Sequence, residues 1–181
     1  MLVPNRFQGL AMGIRLDNAG TAVSTATVVR AEFENNSTAV RADKMTSVDI
    51  RACSFSNTQP GITTSTALGQ GITSANSTLT VRPGCPNGAD ECPGQTLVRN
   101  TFTNLDHGIE LFDTGFGSYA TIFQNDFTNN IAGICQAPKA LWSDIPATSM
   151  TWCTVTKLLV WRGPISAKGS VRMCSRRTMP N

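Results

Sequence analysis

Two ten-residue stretches, NTFTNLDHGI at 100–109 and NDFTNNIAGI at 125–134, carry Asn, Phe, Thr, Asn, Gly and Ile at the same six positions. Extending the comparison outward on phenylalanine finds further copies. Phe33, Phe55, Phe102 and Phe127 are each followed two residues later by asparagine: Asn35, Asn57, Asn104 and Asn129. Six positions after each ring stands a small residue (Ala39, Gly61, Gly108, Gly133) and seven after it an aliphatic one (Val40, Ile62, Ile109, Ile134). Five positions before it stands another aliphatic residue: Val28, Ile50, Leu97 and Ile122. With 8 Phe and 13 Asn in 181 residues, chance supplies roughly 0.6 Phe-x-Asn pairs, so four in one register mark an internal repeat. A weaker copy opens the chain at Leu2, Phe7, Gly13 and Ile14, with Gly9 in the asparagine slot.

The rings are spaced by 26, 22, 47 and 25 residues. A period of 22–26 with one doubled gap points to windings of a solenoid, one of them degenerate or carrying an insertion. The apolar runs within each copy, such as Thr96–Arg99 and Gly108–Leu111, alternate with period two. They are bounded by Asn, Gly, Thr and Asp, and no helix-period stripe is present. Leucine-rich spacing is absent as well. The fold expected is therefore all-β, with equivalent strands of successive windings side by side and in parallel at about 4.8 Å. Each inward residue then lies on its equivalent, Phe on Phe and Ile on Ile. Asparagine suits the bend after the ring because it tolerates left-handed backbone angles, and stacked asparagines can pair amide to amide. The Gly or Ala before the aliphatic residue leaves room where the chain enters the next strand.

Asn100-x-Phe102-x-Asn104 with Gly108-Ile109, and Asn125-x-Phe127-x-Asn129 with Gly133-Ile134, resemble the right-handed parallel β-helix repeat. That repeat occurs in pectate-lyase-like proteins and in NosD-like carbohydrate-binding and sugar-hydrolase domains. The resemblance covers about residues 1–135 and implies a right-handed β-helix. It also implies a function drawn from lyases, hydrolases, adhesins or structural windings.

Between Phe55 and Phe102, residues 62–81 read as a strand with a polar excursion. RPGCPNGADECPG then reads as an inserted loop at about 82–95, with two Cys, three Pro and three Gly in 13 residues. Cys85 and Cys92 flank six residues and are placed to close that loop as a disulfide; free thiols in a loop are the alternative. A disulfide would imply an oxidising compartment. Cys53 and Cys135 read as small packing residues. The six cysteines lack C-x-x-C spacing and the chain has one histidine, so a structural zinc site is not expected.

That histidine, His107, lies between Asp106 and Gly108, near Glu110 and Asp113. Strand alternation points Glu110 to solvent. On the outer face of a β-helix, the resemblance implies, related lyases hold calcium and related hydrolases their acid and base. Hydrolysis needs two carboxylates at a set separation, and a lyase a cation-stabilised carboxylate with a base. The slot of Glu110 holds Arg15, Arg41, Thr63 and Cys135 in the other windings, so no set of carboxylates accumulates. The polygalacturonase motifs of the family are missing too. Asp106, His107, Glu110 and Asp113 are thus weak catalytic candidates, and solvated turn and strand residues are the preferred reading. Arg15 with Arg41, Arg30 with Arg99, and Arg51 form basic slots that could take acidic glycans, although they interleave with Asp and Glu and the preferred reading is a solvated surface. No aromatic residues accompany them, which leaves nucleic-acid stacking unsupported.

Residues 1–135 hold 8 Lys+Arg against 11 Asp+Glu, a net of −3, whereas 136–181 hold 7 against one, a net of +6. All three Trp fall in the second part and all eight Phe in the first. This division makes 136–181 an atypical basic segment, either a cap over the last winding or a non-native, disordered tail. No apolar run reaches 18 residues, so no membrane span is expected, and the start of the chain lacks the pattern of a secretory signal. The function expected is a non-catalytic scaffold or adhesin-like module of an exported surface protein that touches polysaccharide, with further windings of a longer parent chain as partners. The alternative is a fragment of a polysaccharide lyase or glycoside hydrolase acting on acidic polysaccharides. No cofactor is expected, calcium belonging only to the lyase alternative.

Overall fold

A computed structural model describes residues 3–20, 22–59, 68–112 and 119–128, and the backbone of 160–164 and 170–173. The chain is all-β, with three parallel sheets and no helix among the described residues. It visits the sheets in rotation. The first contains β1 (Asn5–Gln8), β4 (Ala31–Glu34), β7 (Ser54–Ser56), β10 (Thr101–Thr103) and β13 (Asp126–Thr128). The second contains β2 (Met12–Asp17), β5 (Thr38–Asp43), β8 (Gln70–Ala75) and β11 (His107–Phe112). The third contains β3 (Thr25–Val29), β6 (Ser47–Arg51), β9 (Leu79–Arg82) and β12 (Tyr119–Phe123). Two later strands, β14 (Val160–Pro164) and β15 (Ser170–Met173), join β12 and β11 antiparallel. This architecture is compatible with a β-helix or solenoid.

Five phenylalanines form a single file. Phe7, Phe33, Phe55, Phe102 and Phe127 stack with centroids 5.0, 5.0, 4.7 and 4.7 Å apart and planes within 11°. Their separation is that of neighbouring strands, because each ring is carried on one rung of the first sheet. Beside the file run further columns: Ile14, Val40, Ile72 and Ile109 in the second sheet, and Val28, Ile50, Val81 and Ile122 in the third. Phe33, Phe55 and Phe102, with Val40, Ile50, Ile72, Val81, Ile109 and Ile122, are at most 2% exposed. These columns are the hydrophobic core.

The bends explain the remaining repeat residues. Asn35 and Asn104 adopt φ of 57° and 53°, and Gly9, in the same slot, 67°. Gly9 therefore supplies without strain the left-handed turn that asparagine supplies elsewhere. An amide-to-amide contact lies at another bend, two residues before the ring: Asn100 Nδ2 donates to Asn125 Oδ1 at 2.7 Å, both side chains buried. The small residue six after the ring is enforced by packing. A Cβ on Gly13 would lie 2.5 Å from the Ala39 carbonyl oxygen and 3.0 Å from the Phe33 ring.

The third winding corrects three sequence assignments. Gly71-Ile72, not Gly61-Ile62, take the small-aliphatic slot, since Ile72 pairs with Val40 and Ile109; residues 60–67 lie outside the described residues. Val81, not Leu97, fills the aliphatic slot before Phe102, and Leu97 is 48% exposed. Thr96–Arg99 is not a strand; only Val98 forms a bridge, with Gly84. The doubled spacing is thus one winding with two excursions. Phe55 to Ile72 takes 17 residues where Phe33 to Val40 takes 7, and Val81 to Phe102 takes 21 where Ile50 to Phe55 takes 5. Loops leave a stack of strands cheaply in this way, because they disturb no pairing within it.

Candidate functional site

The acidic and imidazole groups singled out in the sequence sit at and beyond the bend that leads into β11. Asp106 donates its backbone N–H to the Gly69 carbonyl at 2.9 Å. Its carboxylate Oδ2 is 3.1 Å from His107 Nδ1, a close approach without the alignment of a hydrogen bond. His107 stands opposite Gln70 in β8, and Glu110 opposite Thr73. Strict alternation would put residues three apart on opposite faces. Yet the Thr73 hydroxyl donates to Gln70 Oε1 at 3.2 Å, so these two share a face. The pairing register passes over Gly71 and Gly108 between them, which marks a break in the pleat where a glycine turns the chain.

The expectation for Glu110 is overturned. It is 2% exposed, and its Oε2 accepts a hydrogen bond from Gln70 Nε2 at 3.2 Å. Gln70 Oε1 in turn accepts from the hydroxyls of Thr73 and, at 3.4 Å, Thr38. The carboxylate thus belongs to a polar chain spanning three windings. Its column reads Arg15, Arg41, Thr73, Glu110, with Thr73 in the place expected for Thr63, and Arg172 of β15 lies next in register. Asp113, the fourth candidate, lies outside the described residues, as do Asn129, Gly133, Ile134 and Cys135. Among the described residues no group of three or more His, Cys, Asp or Glu side chains converges as a metal site would require.

Two arginines of the basic slots are paired with acids, Arg15 with Asp17 and Arg99 with Asp126, as is Arg6 outside them with Glu34. Arg51 is the one whose setting the sequence hid. Rather than lying on an outer basic face, its side chain is 6% exposed beneath the inserted loop. Its Nη2 is 2.8 Å from Asp90 of that loop and its Nε 3.4 Å from Asp49. Asp49 also accepts two hydrogen bonds from Arg82, at 2.9 and 3.2 Å, which hold the Arg82 guanidinium above its ordinary pKa. Cys85 and Cys92 are joined as a disulfide with Cα atoms 5.8 Å apart. The loop so closed roofs an open recess of about 340 Å³ with Arg51, Arg82, Pro83 and Leu97 among its walls. Among the described residues no aromatic ring lines it, so they offer no flat platform to a sugar.

Cys53 is a packing residue in its setting: 2% exposed, its thiol 3.2 Å from the Arg51 carbonyl, and pushed up to about 11 by burial. No signal in the sequence indicates that Asp90 folds back onto Arg51, since the contact spans 39 positions and depends on where the loop lands. No helix is long and apolar enough to cross a membrane among the described residues. No family model matches the chain, and no curated protein or solved structure matches it either.

Proposed function

We propose that the repeat forms a right-handed parallel β-helix of the pectate-lyase-like or NosD-like kind, and that it serves as a non-catalytic scaffold or adhesin-like module of an exported surface protein. The observation that carries this reading is the state of Glu110. A general acid or base must reach its substrate, whereas this carboxylate is 2% exposed and accepts a hydrogen bond from Gln70. Its column adds two arginines and a threonine rather than a second acid. The Cys85–Cys92 disulfide supports an oxidising, extracellular setting. Contact with acidic polysaccharide rests on the arginine-bearing outer positions, among them Arg41 and Arg15, both exposed.

The alternative, a polysaccharide lyase or hydrolase, is favoured by one observation, the 3.1 Å approach of Asp106 and His107 on the sheet that carries Glu110. Assays on polyuronides with and without calcium separate the two. The expected result is no turnover together with binding on a glycan array. Turnover abolished by Glu110→Ala would overturn the scaffold reading.

A further inference from the structure

Arg51 and Arg82 are register partners on the neighbouring strands β6 and β9. Like charges set opposite each other in a sheet repel, and a guanidinium as buried as that of Arg51, 6% exposed, needs an anion close by. Asp49 serves both cations with one carboxylate. It is committed to Arg82 by two hydrogen bonds, at 2.9 and 3.2 Å, and stands 3.4 Å from Arg51 Nε, which makes no hydrogen bond. The close anion of Arg51 is therefore Asp90 of the inserted loop, 2.8 Å from Nη2, yet that side chain is itself 88% exposed. A carboxylate so open to water is held weakly and is released at little cost. Both residues line the recess of about 340 Å³, which falls within the size of ligand clefts, roughly 300–1,000 Å³. The lining sets Arg51 and Arg82 against Asp90 and Glu91, both from the loop, so these charges balance only while the loop lies in place. Pro93 and Leu97, both exposed, add an apolar edge.

We propose that this recess binds the carboxylate of a uronic-acid unit, and that Asp90 fills it as an internal stand-in which the ligand displaces. The arriving carboxylate exchanges for a group of the same charge and acceptor geometry, so Arg51 keeps an anion beside it throughout. Arg51 and Arg82 present guanidinium N–H donors to its two oxygens, the pairing at which arginine excels. Displacing the loop also withdraws Asp90 and Glu91, which leaves the two cations of the lining facing the ligand. The C–H groups of the sugar meet Leu97 and Pro93, and its acid group rather than its ring carries the recognition. The inference rests on the acidic-polysaccharide contact proposed above and gives that contact a defined place, apart from the open Arg15 and Arg41 of the second sheet.

Titration calorimetry of the 181-residue chain with trigalacturonate in calcium-free buffer tests it, joined to amide NMR of the same titration. The expected result is binding, with shifts concentrated at 49–51 and 82–97. The fully methyl-esterified trisaccharide, which keeps the sugar and removes the charge, is expected not to bind. Asp90→Asn removes the internal competitor and is expected to bind about two- to fivefold tighter. Arg51→Ala and Arg82→Ala are each expected to bind at least about tenfold more weakly. Equal binding of the ester, or an Asp90→Asn variant no tighter than the parent, would overturn the site. Shifts confined to the surroundings of Arg15 and Arg41 would overturn it too, while leaving the polysaccharide contact standing. No binding of trigalacturonate at all would overturn the site and the contact together. Should Arg51→Ala fail to fold, Asp90→Asn, Arg82→Ala and the shifts of the parent chain still decide.

Discussion

Phe55 has a ring on each of its faces, at 5.0 and 4.7 Å, whereas Phe7 has one on a single face and is only partly buried. Removing the inner ring leaves a cavity closed by rigid rungs above and below, so Phe55→Ala is expected to cost about 3–5 kcal/mol. Phe7→Ala is expected to cost about 1–2 kcal/mol, since less contact is lost and solvent enters freely. Urea denaturation of the two variants checks the ordering, and equal losses would contradict a file in which position matters. Gly71 illustrates the opposite constraint. A Cβ there would press on the Gly108 carbonyl and come within 3.0 Å of the Phe102 ring. Gly71→Ala is accordingly expected to cost about 1–3 kcal/mol by overpacking, read from the same denaturation curves. At Cys53 burial favours the neutral thiol, raising its pKa from the ordinary 9.0 to about 11. A raised folded value means that the stability this group contributes is complete below about 9 and is lost as pH climbs toward 11. At pH 8 iodoacetamide is expected to leave Cys53 unmodified in the native chain and to alkylate it in urea, as peptide mass spectrometry would report.

Among the elements, the inserted loop is the one whose contribution can be separated from the stack. Its eight-residue ring between Cys85 and Cys92 lies outside every core column. The double change Cys85→Ser and Cys92→Ser is therefore expected to preserve the far-UV β signal while costing at most about 2.5 kcal/mol by the loop-entropy account. Proteolysis at 83–98 should quicken. Arg51→Ala, which takes away the cation beneath the loop, is expected to cost about 1–3 kcal/mol. Asp90→Asn, whose side chain is 88% exposed, should cost under about 1 kcal/mol. Thermal unfolding of the pair would show whether the buried guanidinium or its exposed partner matters more. In the first sheet, Glu34 is held below the usual carboxylate range by hydrogen bonds from Arg6 and then from Thr58. Its contribution is thus present above the ordinary carboxylate range and lost as pH falls through the depressed folded value. An NMR titration is expected to show Glu34 protonating at lower pH than an unpaired glutamate, and Arg6→Ala to raise that midpoint.

At the scale of the whole molecule, the legible part of the sequence is the part that repeats. Phe, Asn, the small residue and the aliphatic residue recur because each stacks on its own kind, so a structural column appears as a period along the chain. Four of the stacked rings belong to the strong repeat and the fifth to its weaker opening copy. The misplacements all fall in the third winding. Once two excursions enter one turn, counting from a phenylalanine no longer gives the rung, and Gly61-Ile62 matches the motif as well as Gly71-Ile72 does. Only backbone pairing between windings separates them, because hydrogen bonds join residues that are neighbours in space and 32 to 37 positions apart in sequence. The candidate site follows the same division. Asp106, His107 and Glu110 were visible as a cluster of chemical groups, but not the burial of Glu110 beside a glutamine 40 positions away. The burial of Arg51 under Asp90 was likewise invisible, since a loop's landing place leaves no period. Sequence by itself determined the stacking order of the core, because that order is a local pattern repeated. The tertiary structure decided which polar groups are covered, because that depends on what else in three dimensions comes to lie against them.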